Sequence, residues 1–218
     1  MEDPWPDEPT IQFSDDFEPV VVIHLPREPV SARAAGRKKG RLQAELRDLT
    51  KRVPWTYTAD VAIEIEWTVH LRWRYESDRA VDVDNIVKPI LDGIAGTDGV
   101  LIDDTQVNHI SVNWITWARA DRQHLKIQLS SLDPQMYDTR GFSLVEVRPP
   151  LCLPLPALDE EGRRLLWSML EKQFAAHDQL LAMGVGWDHA RVVLPGQRLF
   201  HSSSRVTSAT SPDTTSPP

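Results

Sequence analysis

Residues Asp82–Gln106 read DVDNIVKPILDGIAGTDGVLIDDTQ. Asp82 and Asp84 stand one residue apart, Lys88 follows four residues after Asp84, and Asp103-Asp104 lie beyond a glycine-bearing connection. Breaking a phosphodiester requires charge neutralisation at the phosphate and an activated water, and carboxylate-held divalent ions supply both. In extended chain, residues i and i+2 point the same way about 6.5–7 Å apart, so Asp82 and Asp84 can converge on one ion. If the next segment is helical, Lys88 shares a face with Asp84. An ammonium there holds the scissile phosphate, orients water or stabilises developing negative charge. Asp103 and Asp104 are placed at the start of the following strand. Neighbours on a strand face opposite ways, so only one of the two enters the site directly. Asp92, eight residues after Asp84, supports the site indirectly or is structural. Each part has a plainer reading alone: an Asp-x-Asp caps a helix, and Asp98-Gly99 is a turn signal. Several carboxylates around one strand–helix–strand unit repel one another, and a cation is their natural partner. An EF-hand loop from Asp82 would need Gly at 87 and Glu at 93, where Val87 and Gly93 stand.

Within that stretch, Ile86, Ile90, Leu91 and Ile94 give the apolar stripe of a helix over 84–95, with Gly96 as its stop. Pro89 conflicts with a helix capped by Asp84, because it removes a bond to the Asn85 carbonyl. Either the first turn is irregular or regular helix begins at Pro89. Upstream, residues 61–71 (VAIEIEWTVHL) alternate strictly. Val61, Ile63, Ile65, Trp67, Val69 and Leu71 face a core, and Ala62, Glu64, Glu66, Thr68 and His70 face the other way. Residues 20–25 (VVVIHL) form a short buried strand. Leu42, Leu46, Leu49 and Val53 recur at helical spacing and predict a helix from about Arg41 to Lys51. Before it, Arg33, Arg37, Lys38, Lys39 and Arg41 cluster with two glycines, as a solvated basic loop or as phosphate contacts. Arg72, Arg74 and Arg79 lead from the strand toward the acidic stretch, with the same two readings. Residues 107–117 and 124–130 read as two strands, joined by a linker short enough for an antiparallel hairpin. His109 and His124 at their starts are solvent-facing or structural in preference to ligating. The expected fold is therefore α/β (α+β): a small mixed sheet ordered strand–helix–strand–helix–strand–strand, plus an added C-terminal helix.

Outside this core the chain changes character. Residues 1–19 hold seven carboxylates, four prolines and no Lys or Arg, and read as a disordered or loosely attached tail. Setting the seven aside takes the remainder from −8 to −1, so the net acidity says little about the surface beyond the tail. The nuclease-like domain spans 20–132. Residues 133–157, with PPLCLPLP at 149–156, read as an irregular proline-rich spacer. Asp159 caps an amphipathic helix over 158–184, whose apolar face of Leu166, Leu170, Phe174 and Leu181 folds back on the domain, pairs in a dimer or binds another protein. Residues 185–218 are irregular, and disordered from about 202. A single cysteine, Cys152, excludes an intrachain disulfide and a four-cysteine zinc site. No apolar run spans a bilayer, and the acidic start is unlike a secretory signal, so a cytoplasmic protein is expected.

The acidic stretch resembles the RusA-type Holliday junction resolvases of bacteria and their phages. That family's pattern is Asp-x-Asp-Asn-(Leu/Ile)-x-Lys, then Leu/Phe-Asp-Ala/Gly-Leu/Ile, then Asp-Asp-x-Gln-(Val/Ile). Here DVDNIVK stands at 82–88, LDGI at 91–94 and DDTQV at 103–107. The resemblance covers about residues 20–130. It implies a Mg²⁺-dependent endonuclease, with Mn²⁺ able to substitute, acting as a homodimer on four-way DNA junctions; a nuclease for other branched DNA is an alternative. By position Asp82, Asp84 and Asp104 match the metal-binding carboxylates and Lys88 the essential lysine, while Asp103 is a further ligand or orients one. The alternative is a non-catalytic junction- or protein-binding relative. The family's Pro-Ser-x-Asn motif after the first strand is absent, and REPVSARAAGRKKG stands in its place.

Overall fold

The computed structural model describes residues 5–15, 18–70, 84–96, 98–117, 123–132, 137–139 and 142–204, in two compact units divided after Thr139. In the first unit a five-stranded mixed sheet carries β1 (Thr10–Ser14), β2 (Val20–Leu25), β4 (Val61–His70), β5 (Val107–Trp117) and β6 (His124–Ser131), in the order β1-β2-β6-β4-β5. Helices α1 (Gly36–Thr50) and α2 (Asp84–Ile94) pack their apolar stripes into its core, joined by residues that lie between these elements, such as Val53, Tyr57 and Leu101. A short β3 (Trp55–Tyr57) pairs with β7 (Tyr137–Thr139) outside the main sheet. The expected α+β class and element order stand, with β1 and β3 added.

The alternation of β4 governs the packing. Val61, Ile63, Ile65, Trp67 and Val69 are all buried, and their face meets Ile23 and Leu25 of β2, Ile127 and Leu129 of β6, and the apolar stripes of the two helices. The opposite face is polar: Lys126 pairs with Glu66 at 3.0 Å, and Asn113 donates to Glu64 at 3.2 Å.

Three expectations are corrected here. Strands β5 and β6 do not form a hairpin: β5 lies parallel to β4, and β6 lies antiparallel to β4 on its other side. The α2 crossover explains this, because a strand that returns through a helix can lie parallel beside the one it left. That leaves β6 the far side of β4. Residues 5–15 are not a disordered tail. Acid and proline dilute the segment, but its few apolar groups anchor it. Strand β1 pairs antiparallel with β2, Phe13 meets Trp55 edge-on at 5.5 Å, and Trp5 stacks on the buried His124 at 4.4 Å. Helix α1 begins at Gly36, a turn and a half before Arg41, so Arg37, Lys38 and Lys39 belong to helix and not to a loop.

The second unit has its own core. The expected spacer is a hairpin of β8 (Ser143–Arg148) and β9 (Leu151–Leu155), turning at Pro149-Pro150, and β10 (Phe200–His201) adds to β9. Pro154 sits on the part of β9 that β10 does not cover, an edge situation that tolerates proline. Helix α3 (Glu160–Ala182) is capped by Asp159, whose carboxylate accepts from the Gly162 N–H at 2.7 Å. It ends at Gly184 with φ +83°. Leu170 and Phe174 pack with Leu153 and Leu155, so the helix meets its apolar partner within its own unit. Met169 and Leu181 remain exposed. The nominally irregular stretch after 185 contains α4 (Trp187–Ala190) and β10. The Ser/Thr/Pro-rich end from 205 lies outside the described residues. Among the described residues no helix is long and apolar enough to cross a membrane.

Candidate active site

Helix α2 runs unbroken from Asp84 to Ile94 with Pro89 inside it. Pro89 has no N–H to offer the Asn85 carbonyl four residues back. That carbonyl accepts instead from the Ala32 N–H at 2.6 Å. A carbonyl shut away from water without a donor is costly, and a bond from another segment removes the cost. The same Ala32 offers its own carbonyl to the Lys39 ammonium at 2.9 Å. The basic start of α1 is thus tied through Ala32 to the first turn of α2.

At its other end α2 lies hard against α1. A Cβ on Gly93 would come 2.7 Å from Leu46 Cδ1 and 3.3 Å from the Gln43 Cα, so any larger residue would force Leu46 or the helices to shift. Across it, Gln43 Nε2 reaches Asp92 Oδ2 at 3.5 Å and Arg47 donates to the Asp92 carbonyl at 3.3 Å. The chain then turns back tightly. Gly96 adopts φ 102°, and a Cβ on Gly99 would lie 2.1 Å from the Ile94 carbonyl oxygen. The Leu101 N–H closes the turn on Ile94 at 3.1 Å.

That return delivers Asp103 and Asp104 to α2. They lie not on β5, as expected, but at a 3₁₀ turn that precedes it, Asp104 within the turn (Asp104–Gln106) and Asp103 just before it. The turn separates their roles. Asp103 caps it, its carboxylate accepting from the Thr105 N–H at 2.9 Å. Asp104 points its carboxylate at α2, where Lys88 donates to Oδ2 at 2.7 Å. Lys88 also donates to Asp92 Oδ1, one helical turn on, at 2.9 Å. Held by Asp104 first and Asp92 second, the Lys88 ammonium is pushed well above its ordinary pKa. It is a fixed cation at neutral pH and not a general base.

Gln106 is a residue that the pattern of carboxylates does not single out. It is fully buried. An Asp followed three residues later by Gln is the signature of a capping box, the signal that could have found it, and the box is formed here.

Of the other site residues, Asp84 opens α2 one turn before Lys88; its side chain, and Asp82, Arg72, Arg74 and Arg79 altogether, lie outside the described residues. Arg33, Arg37, Lys38 and Arg41 are exposed at the start of α1, and Lys39 is half-buried. No acidic residue stands in that first turn, and Ala35 provides no side-chain cap. Three cations at the positive end of a helix dipole are unfavourable to one another and favourable to an anion. His109 is exposed and His124 is buried under Trp5, as solvent-facing and structural groups should be.

Among the described residues no group of three or more His, Cys, Asp or Glu could hold a metal ion. Asp104, half-buried beside the start of α2, is the one candidate ligand whose side chain is both described and turned toward that helix. Its oxygen-only chemistry beside a lysine suits a hard cation.

Residues 29–130 match the family model of endodeoxyribonuclease RusA. Over this segment the chain is similar to the RusA endodeoxyribonucleases. The RusA match takes in α1, β3–β5, all of β6 but its last residue and the whole acidic stretch, and leaves residues 1–28 and 131–218 outside it. That family is described as one of endodeoxyribonucleases. No curated protein matches the chain.

Proposed function

We propose that the chain is a Mg²⁺-dependent endonuclease that resolves four-way DNA junctions by paired nicks, working as a homodimer. The observation that carries this reading is the Lys88–Asp104 pair at 2.7 Å, which joins the two halves of the acidic stretch inside the RusA segment. Asp82, Asp84 and Asp104 would hold the ion, with Asp103 a further ligand or a group that orients the turn. When bound, the ion neutralises the phosphate and lowers the pKa of its water. Mn²⁺ should substitute, since it accepts the same oxygen donors.

The chain's own residues do the remaining work. Lys88 stays protonated and stabilises the charge that develops as the phosphate is attacked. Asp92 steadies Lys88 from the next turn and ties it to α1. The exposed cations Arg33, just before α1, and Arg37, Lys38 and Arg41, within it, meet backbone phosphates beside the site, and Lys39 braces the turn that presents them. Arg72, Arg74 and Arg79 belong to the same proposed DNA surface. A two-fold dimer supplies two such sites to two strands of equivalent geometry.

The second unit has its own core outside the RusA segment, and this favours considering other branched DNA as the substrate or a protein partner bound through α3. A labelled four-way junction incubated with purified protein, with and without Mg²⁺, tests the proposal. Paired symmetric nicks that require the metal are expected. Binding without cleavage at any metal concentration would identify a non-catalytic relative. Preferential cutting of flaps or three-way junctions in a branched panel would redirect the specificity.

A further inference from the structure

We infer that Gln106 is a positioning residue of the nuclease site: its buried carboxamide fixes the turn that aims the Asp104 carboxylate at α2. The inference rests on the proposed role of Asp104. A primary amide offers two donors and two acceptor positions. All four are in use. Oε1 accepts from the Ile102 N–H at 2.7 Å and the Asp103 N–H at 3.0 Å. Nε2 donates to the Tyr57 carbonyl at 2.8 Å and the Ala59 carbonyl at 2.9 Å. Gln106 is 0% exposed, so no water replaces any of these partners.

The four bonds join two different parts of the chain. Tyr57 ends β3, and Ala59 lies between β3 and β4. The Tyr57 N–H is itself held by the Val100 carbonyl at 2.8 Å, and its hydroxyl donates to the Pro19 carbonyl at 2.8 Å. The turn is therefore referenced to the core. Asp104 sits between Asp103, whose N–H Gln106 grips, and Gln106 itself, whose own N–H bonds the Asp103 carbonyl at 3.2 Å. With backbone fixed on both sides, the Asp104 side chain has a set origin and reaches Lys88 at 2.7 Å. Groups that orient a ligand without touching the ion typically change metal affinity or activity by about 10–100-fold.

The test compares the full chain with Gln106→Glu, which keeps the shape and an acceptor oxygen but loses the donating NH₂, and with Gln106→Ala. Mn²⁺ affinity is read by electron paramagnetic resonance, junction binding is read without metal, and cleavage is followed against Mg²⁺ concentration. The expected result is a tenfold or greater loss of Mn²⁺ affinity, unchanged metal-free junction binding, and cleavage partly restored at high Mg²⁺. A merely structural role would not move metal affinity in a folded variant that binds DNA normally. Folded variants with wild-type Mn²⁺ affinity would overturn the inference alone. A wild-type chain that takes up no Mn²⁺ would overturn the metal reading and this inference together. Should both variants fail to fold, amide exchange in the wild type decides. Mg²⁺ should slow exchange of the Ile102 and Asp103 N–H groups through linkage, and no change there would reject the coupling.

Discussion

The Ala32 N–H donates to the Asn85 carbonyl at 2.6 Å, across 53 positions of sequence, because Pro89 cannot. A residue that should interrupt α2 thereby fastens the basic start of α1 to it.

Replacing Pro89 with Ala returns an N–H to the helix interior and sets it in competition with Ala32. Proline in a helix interior costs about 3 kcal/mol relative to alanine, so α2 should not lose stability. The expected result is a melting temperature equal to or above wild type, together with faster amide exchange at Ala32 and weaker junction binding. Unchanged exchange at Ala32 would show that the cross-link does not depend on the proline.

Lys88 should behave as a permanent cation. Asp104 and then Asp92 raise its pKa, so the stability this pairing contributes is fully present below the ordinary lysine value of about 10.4 and is lost as pH rises through the folded value. Alkaline unfolding of Lys88→Met should accordingly depend less steeply on pH above that value. Between pH 6 and about 10 the cleavage profile should carry no inflection from Lys88. Lys88→Met should lower cleavage by about 10²–10³-fold, the usual effect of removing one transition-state donor, with junction binding retained.

Gly93→Ala tests the packing of α1 on α2. The new Cβ collides with Leu46 and crowds the α1 backbone, and overpacking of this kind costs about 1–3 kcal/mol. Chemical denaturation should show the midpoint falling. Cleavage should fall too, because Asp92 and Lys88 move with the helix. A variant as stable as wild type would mean that the helices separate more easily than their close approach implies.

The α1 cations make a prediction in salt. Removing one cation that meets a phosphate flattens the dependence of log K on log salt by about 0.9 on duplex DNA. Arg37→Ala and Arg41→Ala should each reduce the slope and weaken binding alike on any junction sequence. A slope that stays constant would take those side chains off the DNA surface.

Much of the fold is legible in the sequence because single-residue periodicity reports burial directly. The alternation of β4 and the stripe of α2 are imposed by one apolar face, and the apolar positions from Val61 to Val69 and from Ile86 to Ile94 are buried, while Leu71 and the His70 side chain lie outside the described residues. The acidic stretch is legible for another reason: its carboxylates, taken together, have no bland common explanation. What escapes depends on partners far away in sequence. Arg37 and Lys38, flanked by Gly36 and Gly40, look like loop, yet Lys39 and Ala32 brace the turn before the helix. Pro154 argues against a strand until a two-residue β10 leaves that part of β9 uncovered. Strand alternation would tell Asp103 from Asp104, whereas a capping box does it through Gln106.

The central claim is that Asp82, Asp84 and Asp104 together hold a divalent ion beside Lys88. Anomalous scattering from a Mn²⁺-soaked crystal tests it most directly. The account predicts an ion with oxygen ligands from those three carboxylates and Lys88 within reach of a phosphate bound to it. Carboxylates that point apart with no anomalous peak between them would contradict it.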